Sequence, residues 1–134
     1  MFRTKQSGFT LLELVIVIVV IGILAFLIVP QLLTGPARAR DAQRKIDLRN
    51  IKTALENYYN EQGAYPTTLT ALEGGSIPYI KTVPTDPKTR QNYTYIVTGN
   101  PPSGFILQTN LENKTDPDIK VGTKNTYEIT SSNP

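Results

Sequence analysis

Residues 14–29, LVIVIVVIGILAFLIV, contain no charged or strongly polar side chain. At 134 residues the chain fits one domain plus an appendage, and its hydrophobic residues are very unevenly placed. From Phe9 to Val29 the residues suffice to cross roughly 30 Å of hydrocarbon as a helix. Past Gly35 the sequence turns polar, with Pro, Gly, Thr and Asn throughout. The chain therefore reads as a membrane segment followed by a small soluble domain.

Composition removes several function classes. There is no Cys and no His, so a disulfide framework, a thiol nucleophile, an imidazole base and the common transition-metal ligands are all absent. No Gly-rich phosphate loop occurs. The chain is expected not to be an enzyme. The net charge is +3, and two of those charges, Arg3 and Lys5, lie within the first eight residues. A nearly neutral remainder gives no general argument for binding nucleic acid.

Three readings compete for the N-terminal segment. A secretory signal peptide requires small residues at a cleavage site after the apolar run, but here the run ends in Val29-Pro30-Gln31-Leu32-Leu33. A plain anchor explains the topology, with Arg3 and Lys5 on the cytoplasmic side and the soluble part exported. It does not explain Glu13, a carboxylate inside the span that costs about 2.5–3.5 kcal/mol on the lenient insertion scale. The third reading gives Glu13 a use. Gly8-Phe9-Thr10-Leu11-Leu12-Glu13, followed by the apolar run, resembles the class III signal of type IV prepilins and type II secretion pseudopilins.

That resemblance implies cleavage between Gly8 and Phe9 by a prepilin peptidase, with the helix left in place, and methylation of the new amine on Phe9. Glu13 becomes the fifth residue of the product, where the family carries its glutamate. Gly22 and Pro30 fall where many members have a helix-loosening Gly and Pro. Elementary physics agrees: Pro30 lacks an N–H and Gly22 weakens the helix, so loosening is expected there. A freed α-amino group near Glu13 would relieve the expense of an unpaired charge in lipid. Glu13 is accordingly the expected register element of assembly.

Beyond the span, helix is expected over residues 34–62, continuing the first into one bent rod of about 80 Å. Leu48, Ile51, Leu55, Tyr58 and Gln62, with Ala54 and Tyr59 beside them, form its apolar stripe. Asp41 with Lys45, Arg44 with Asp47, and Lys52 with Glu56 stand at ion-pair spacing. Arg38, Arg40, Arg44, Lys45, Arg49 and Lys52 make the helix basic, but the interleaved acids speak against a nucleic-acid stripe. Gly63 and Pro66 end the helix.

Residues 63–134 read as the head. One short helical turn is expected over Leu69–Glu73. A strand over residues 92–98 places Tyr93, Tyr95 and Val97 on one side. Residues 99–104 form a hairpin loop, Phe105, Leu107 and Leu111 share the face of a second strand, residues 127–130 form a third, and the end is a frayed tail. The fold class is α+β, a long N-terminal helix packed against a three- to four-stranded antiparallel sheet. The layout Tyr58-Tyr59-Asn60, Gly63-Ala64-Tyr65-Pro66, Pro84-Thr85-Asp86-Pro87 and Tyr93-Thr94-Tyr95 resembles the major pseudopilin and its cysteine-free pilin relatives.

The same resemblance implies calcium in a C-terminal loop. Asn113, Asp116 and Asp118 are the candidate ligands here, yet Lys114 and Lys120 intrude, and an Asx turn explains the segment as well. What the family implies as a whole is a structural subunit, single-pass in the cytoplasmic membrane with its head outside. It would polymerise with copies of itself, served by an inner-membrane assembly platform and its ATPase, into a periplasmic or extracellular filament. The alternative from topology alone is a monomeric, membrane-anchored binding domain that does not polymerise.

Overall fold

The computed structural model describes residues 8–131; most of the leader and the last three residues of the tail lie outside them. The elements run α1 (Leu11–Gln62), a 3-10 turn (Leu69–Glu73), β1 (Thr94–Thr98), β2 (Gly104–Asn110) and β3 (Thr126–Thr130). Contacts divide the chain into one unit ending at Pro36 and a second, Ala37–Pro134. The fold is α+β, and its sheet has three antiparallel strands in the order β1-β2-β3.

Within the first unit the backbone is helical from Leu11, and the Gly22 and Pro30 positions are included in that helix. Its window Leu11–Ile28 has a mean hydropathy of 3.3, and none of it is buried. Leu, Ile, Val and Phe side chains point outward on every side. A helix apolar all round with nothing packed on it is suited to lipid or to copies of itself.

The second unit closes around the helix stripe. Leu48, Ile51 and Leu55 are fully buried and Ala54 nearly so, and they meet Tyr65, Leu69, Leu72, Phe105 and Leu107 in one core. Tyr58 and Tyr59 pack at its margin, whereas Gln62, expected in the stripe, is exposed. The helix has reached its stop there, so the stripe has nothing left to cover: Gly63 takes φ +73, and its N–H donates to the Tyr59 carbonyl at 2.8 Å. Glycine has no Cβ to resist that left-handed turn. Aromatic contacts fix the joint, with Tyr59 stacked on Tyr65 at 4.5 Å and Tyr65 edge-on to Phe105 at 4.9 Å.

The hairpin pairs Thr98 with Gly104 and Tyr95 with Leu107. The second pairing sets Leu107 opposite Ile129. Tyr93, Tyr95 and Val97 do share the inner face, while Ile96 between them is exposed, as the two-residue period requires.

Candidate functional site

The residues Gly8 to Glu13, singled out in the sequence, sit at and just before the start of α1. Thr10 caps the helix: the Glu13 N–H donates to Thr10 Oγ1 at 3.2 Å, and the Leu14 N–H donates to the Thr10 carbonyl at 3.2 Å. Thr10-Leu11-Leu12-Glu13 is thus an S/T-x-x-E start signal, in which the hydroxyl satisfies one of the orphan amides of the first turn. The sequence reading used Glu13 as a charge and passed over Thr10 as a cap. Glu13 itself is exposed in that first turn, where a carboxylate suits the positive end of the helix. Gly8 and Phe9 precede the helix and are also exposed, so the Gly8–Phe9 bond is accessible.

A second constellation holds the head together. Continuing the helix stripe backwards from Leu48 by four and then three residues lands on Arg44 and Asp41, both about 2% exposed. Arg44 Nε donates to Asp86 Oδ2 at 2.6 Å, and Nη1 donates to Asp41 Oδ1 at 2.7 Å and to Glu112 Oε1 at 2.9 Å. Arg40 clamps Glu112 from the other side with bonds of 2.7 and 2.8 Å, the two-pronged geometry that guanidinium favours. Asp41 in turn accepts from the backbone N–H groups of Glu112 and Asn113. Asp47 accepts from Gln43 and from the buried Tyr93 hydroxyl, each at 2.7 Å.

The charges respond accordingly. The Arg44 hydrogen bonds hold the Asp86 carboxyl well below the usual range against its burial, helped by the Thr89 and Lys88 amides. Arg40 does the same for Glu112, with Lys88 and Arg44 adding to it. Burial and the Asp47 carboxylate push the Tyr93 hydroxyl up. No buried side-chain N or O among the described residues lacks a partner.

Two of the helical ion pairs expected from spacing are therefore replaced. Arg44 bonds to Asp41, Asp86 and Glu112 in place of Asp47, and Lys45 reaches Asp116 and Asp118 in place of Asp41. Arg44 keeps one local partner, Asp41, three residues away; Asp86 and Glu112 join it from segments that cover the helix and shield the pairs from water. Glu56 accepts the Tyr65 hydroxyl at 2.9 Å.

The candidate calcium residues do come together. Asn113 Oδ1, however, accepts from Thr115 N and Oγ1, and Asp116 Oδ1 accepts from the Asp118 N–H at 3.0 Å. Lys45 Nζ stands between the two carboxylates, 2.6 Å from Asp116 Oδ1 and 2.7 Å from Asp118 Oδ2. Among the described residues, no group of three or more Asp or Glu side chains is placed to hold a metal. Calcium wants six to eight oxygens, and this set, already arranged about an ammonium, does not fit it.

The chain thus presents an exposed apolar helix, long enough to cross a membrane and headed by a capped turn with a carboxylate, together with a small α+β head. Residues 3–29 match the family profile described as the prokaryotic N-terminal methylation motif. Residues 31–109, more than half of the chain, match that of the type II secretion system (T2SS), protein G. The chain belongs to the protein G family of major pseudopilins.

Among curated relatives, type II secretion system core protein G of Pseudomonas aeruginosa is 40% identical over 101 residues, covering 65% of this chain and 71% of its own. That of Escherichia coli K12 is 38% identical over 97 residues, covering 62% and 67%. That of Vibrio cholerae is 40% identical over 89 residues, covering 66% of this chain but 57% of its own length. No solved structure matches the chain.

Proposed function

We propose that the chain polymerises through its N-terminal helix as a structural, non-catalytic subunit of a type II secretion pseudopilus. The observation that carries this is Glu13, a single carboxylate in the first turn of a helix whose apolar surface is otherwise uninterrupted and uncovered. Such a surface gives adhesion between helices without register. A buried charge gives register, because only one axial position pairs it.

In this reading a prepilin peptidase hydrolyses the Gly8–Phe9 bond on the cytoplasmic side, the Phe9 amine is methylated, and Glu13 accepts the amine of a neighbouring copy. The subunit waits in the cytoplasmic membrane, single-pass, with its head outside. An assembly platform and its ATPase then draw it into the filament. Gly22 and Pro30 supply weak points at which the helix can loosen on packing. The N-terminal methylation motif and the protein G match support the reading, as does an exposed scissile bond.

The test combines N-terminal analysis of the purified protein with shearing of filaments from cells. A product beginning at methylated Phe9 is expected, and Glu13→Ala should leave stable membrane protein with no filaments. An intact leader, or filaments undiminished by Glu13→Ala, would instead favour a monomeric anchored domain.

A further inference from the structure

The loop between β2 and β3 runs from Leu111 to Asn125 and is closed at its base on both sides. The Leu111 N–H donates to the Asn125 carbonyl at 2.9 Å, and Asn125 Nδ2 donates to the Leu111 carbonyl at 2.9 Å. At its start the loop is tied to the helix through Glu112 and Asn113, which meet Arg40, Arg44 and Asp41; further along, at Asp116 and Asp118, the helix contact is supplied by Lys45. Its ammonium reaches across 71 residues to Asp116 and 73 to Asp118. It also lies 5.6 Å from the centre of the Tyr127 ring on β3.

We infer that the Lys45 ammonium is the resident cation of this loop, filling the role that a divalent ion would otherwise have, so that the head closes without metal. Two carboxylates drawn together in one short loop repel each other unless a positive charge lies between them. Asp116 and the Lys45 side chain are each only 14% exposed, whereas Asp118 is 57% exposed, so it is at Asp116 that solvent screening cannot substitute for that charge. The ammonium has three N–H donors; two are used on the carboxylates, and the positive end faces the aromatic ring, a favourable disposition.

The remaining oxygens fit the same design. Asp116 Oδ1 takes the Asp118 N–H, and Asn113 Oδ1 takes Thr115, so the loop turns on itself around the lysine. A divalent ion entering here would meet a fixed like charge and donors already turned to N–H groups. The ammonium is also covalently part of the helix. It arrives with folding at an effective concentration no free ion matches, and chelators cannot remove it. This holds for the single subunit, so its failure would leave the filament reading untouched.

The experiment is thermal unfolding of the full chain in detergent micelles, in EDTA and in millimolar calcium. The wild type is expected to unfold at the same temperature in both, and Lys45→Met, which keeps the apolar stem, to unfold lower in EDTA by at least ~4 °C. Amide exchange in residues 113–120 should rise in that variant. If Lys45→Met does not accumulate, adding Asp116→Asn and Asp118→Asn, which remove the uncompensated charges, should restore it. Calcium-dependent stabilisation of the wild type overturns the inference. So does a Lys45→Met protein as stable in EDTA as the wild type, or a triple variant no more stable than Lys45→Met alone.

Discussion

Arg44 and Asp86, separated by 42 residues, are joined by two hydrogen bonds, Nε to Oδ2 at 2.6 Å and Nη2 to Oδ1 at 3.2 Å. The pair is shielded by the helix, the turn that begins at Asp86, and the segment after β2. Asp86 simultaneously receives the Lys88 and Thr89 amides at 2.8 Å. One carboxylate thus shapes its own turn and binds that turn to the helix.

Removing the cation should be costly. Arg44→Met leaves Asp41 and Asp86 buried without their guanidinium, and a loss of about 3–5 kcal/mol is expected in denaturant unfolding. Lys88→Met, which removes an exposed contact to the same Glu112, should change stability by less than about 1 kcal/mol.

The network also sets the acid limb of stability. Asp86 and Glu112 are held below their ordinary values of 3.8 and 4.5. A depressed folded-state carboxylate contributes stability that is complete above its unfolded value and is lost as pH falls towards the folded one. The unfolding midpoint should therefore stay level through neutral pH and begin to drop below pH 4.5. Glu112→Gln should be less stable at neutrality and should show a shallower acid decline.

Backbone conformation sets a third expectation. Gly99 has φ +88, and a Cβ there would press on the Ser103 hydroxyl and stand 2.9 Å from the Pro101 carbonyl. Gly99→Ala should destabilise the head by more than about 1 kcal/mol. The defect should show as faster amide exchange at Ser103, whose N–H bonds the Thr98 carbonyl at 3.0 Å.

At the other end of the chain, Thr10→Ala removes the cap on Glu13. A loss of about 0.5–2 kcal/mol in the first turn is expected, read in micelles as faster exchange of the Glu13 amide. Thr10→Ser, which keeps the hydroxyl, should behave like the wild type.

Much of this was legible from the residues. Period-three-and-four spacing located Leu48, Ile51 and Leu55, alternation located Tyr93, Tyr95 and Val97, and Leu69–Glu73 emerged as the short turn. These are local patterns, and local periodicity reports them directly. The Arg44 network was missed for a reason equally physical. Its members stand at core spacing but carry charges, so an apolar template assigns them to the surface, and their partners lie in segments far along the chain. Asp86 between Pro84 and Pro87 read as a turn residue. Glu112 gave no signal beyond following Leu111, the last apolar residue of the strand. Thr10 was readable as a capping-box start and was overshadowed by the charge at Glu13. The candidate metal loop shows the same limit, since nothing local says that a helix lysine will reach it.

The positions of the network carry a consequence for how the chain comes to be folded. Its contributors enter in the order 41, 44, 86 and 112, so the last arrives when only the loop to Asn125, the third strand and the short tail remain to be made. A chain cut ahead of Glu112 is then not a smaller version of the head but one with an arginine sealed beside an incomplete set of acids. Truncation from the C-terminus should give abrupt loss of the native form, since the domain can lock only once nearly its whole length is present.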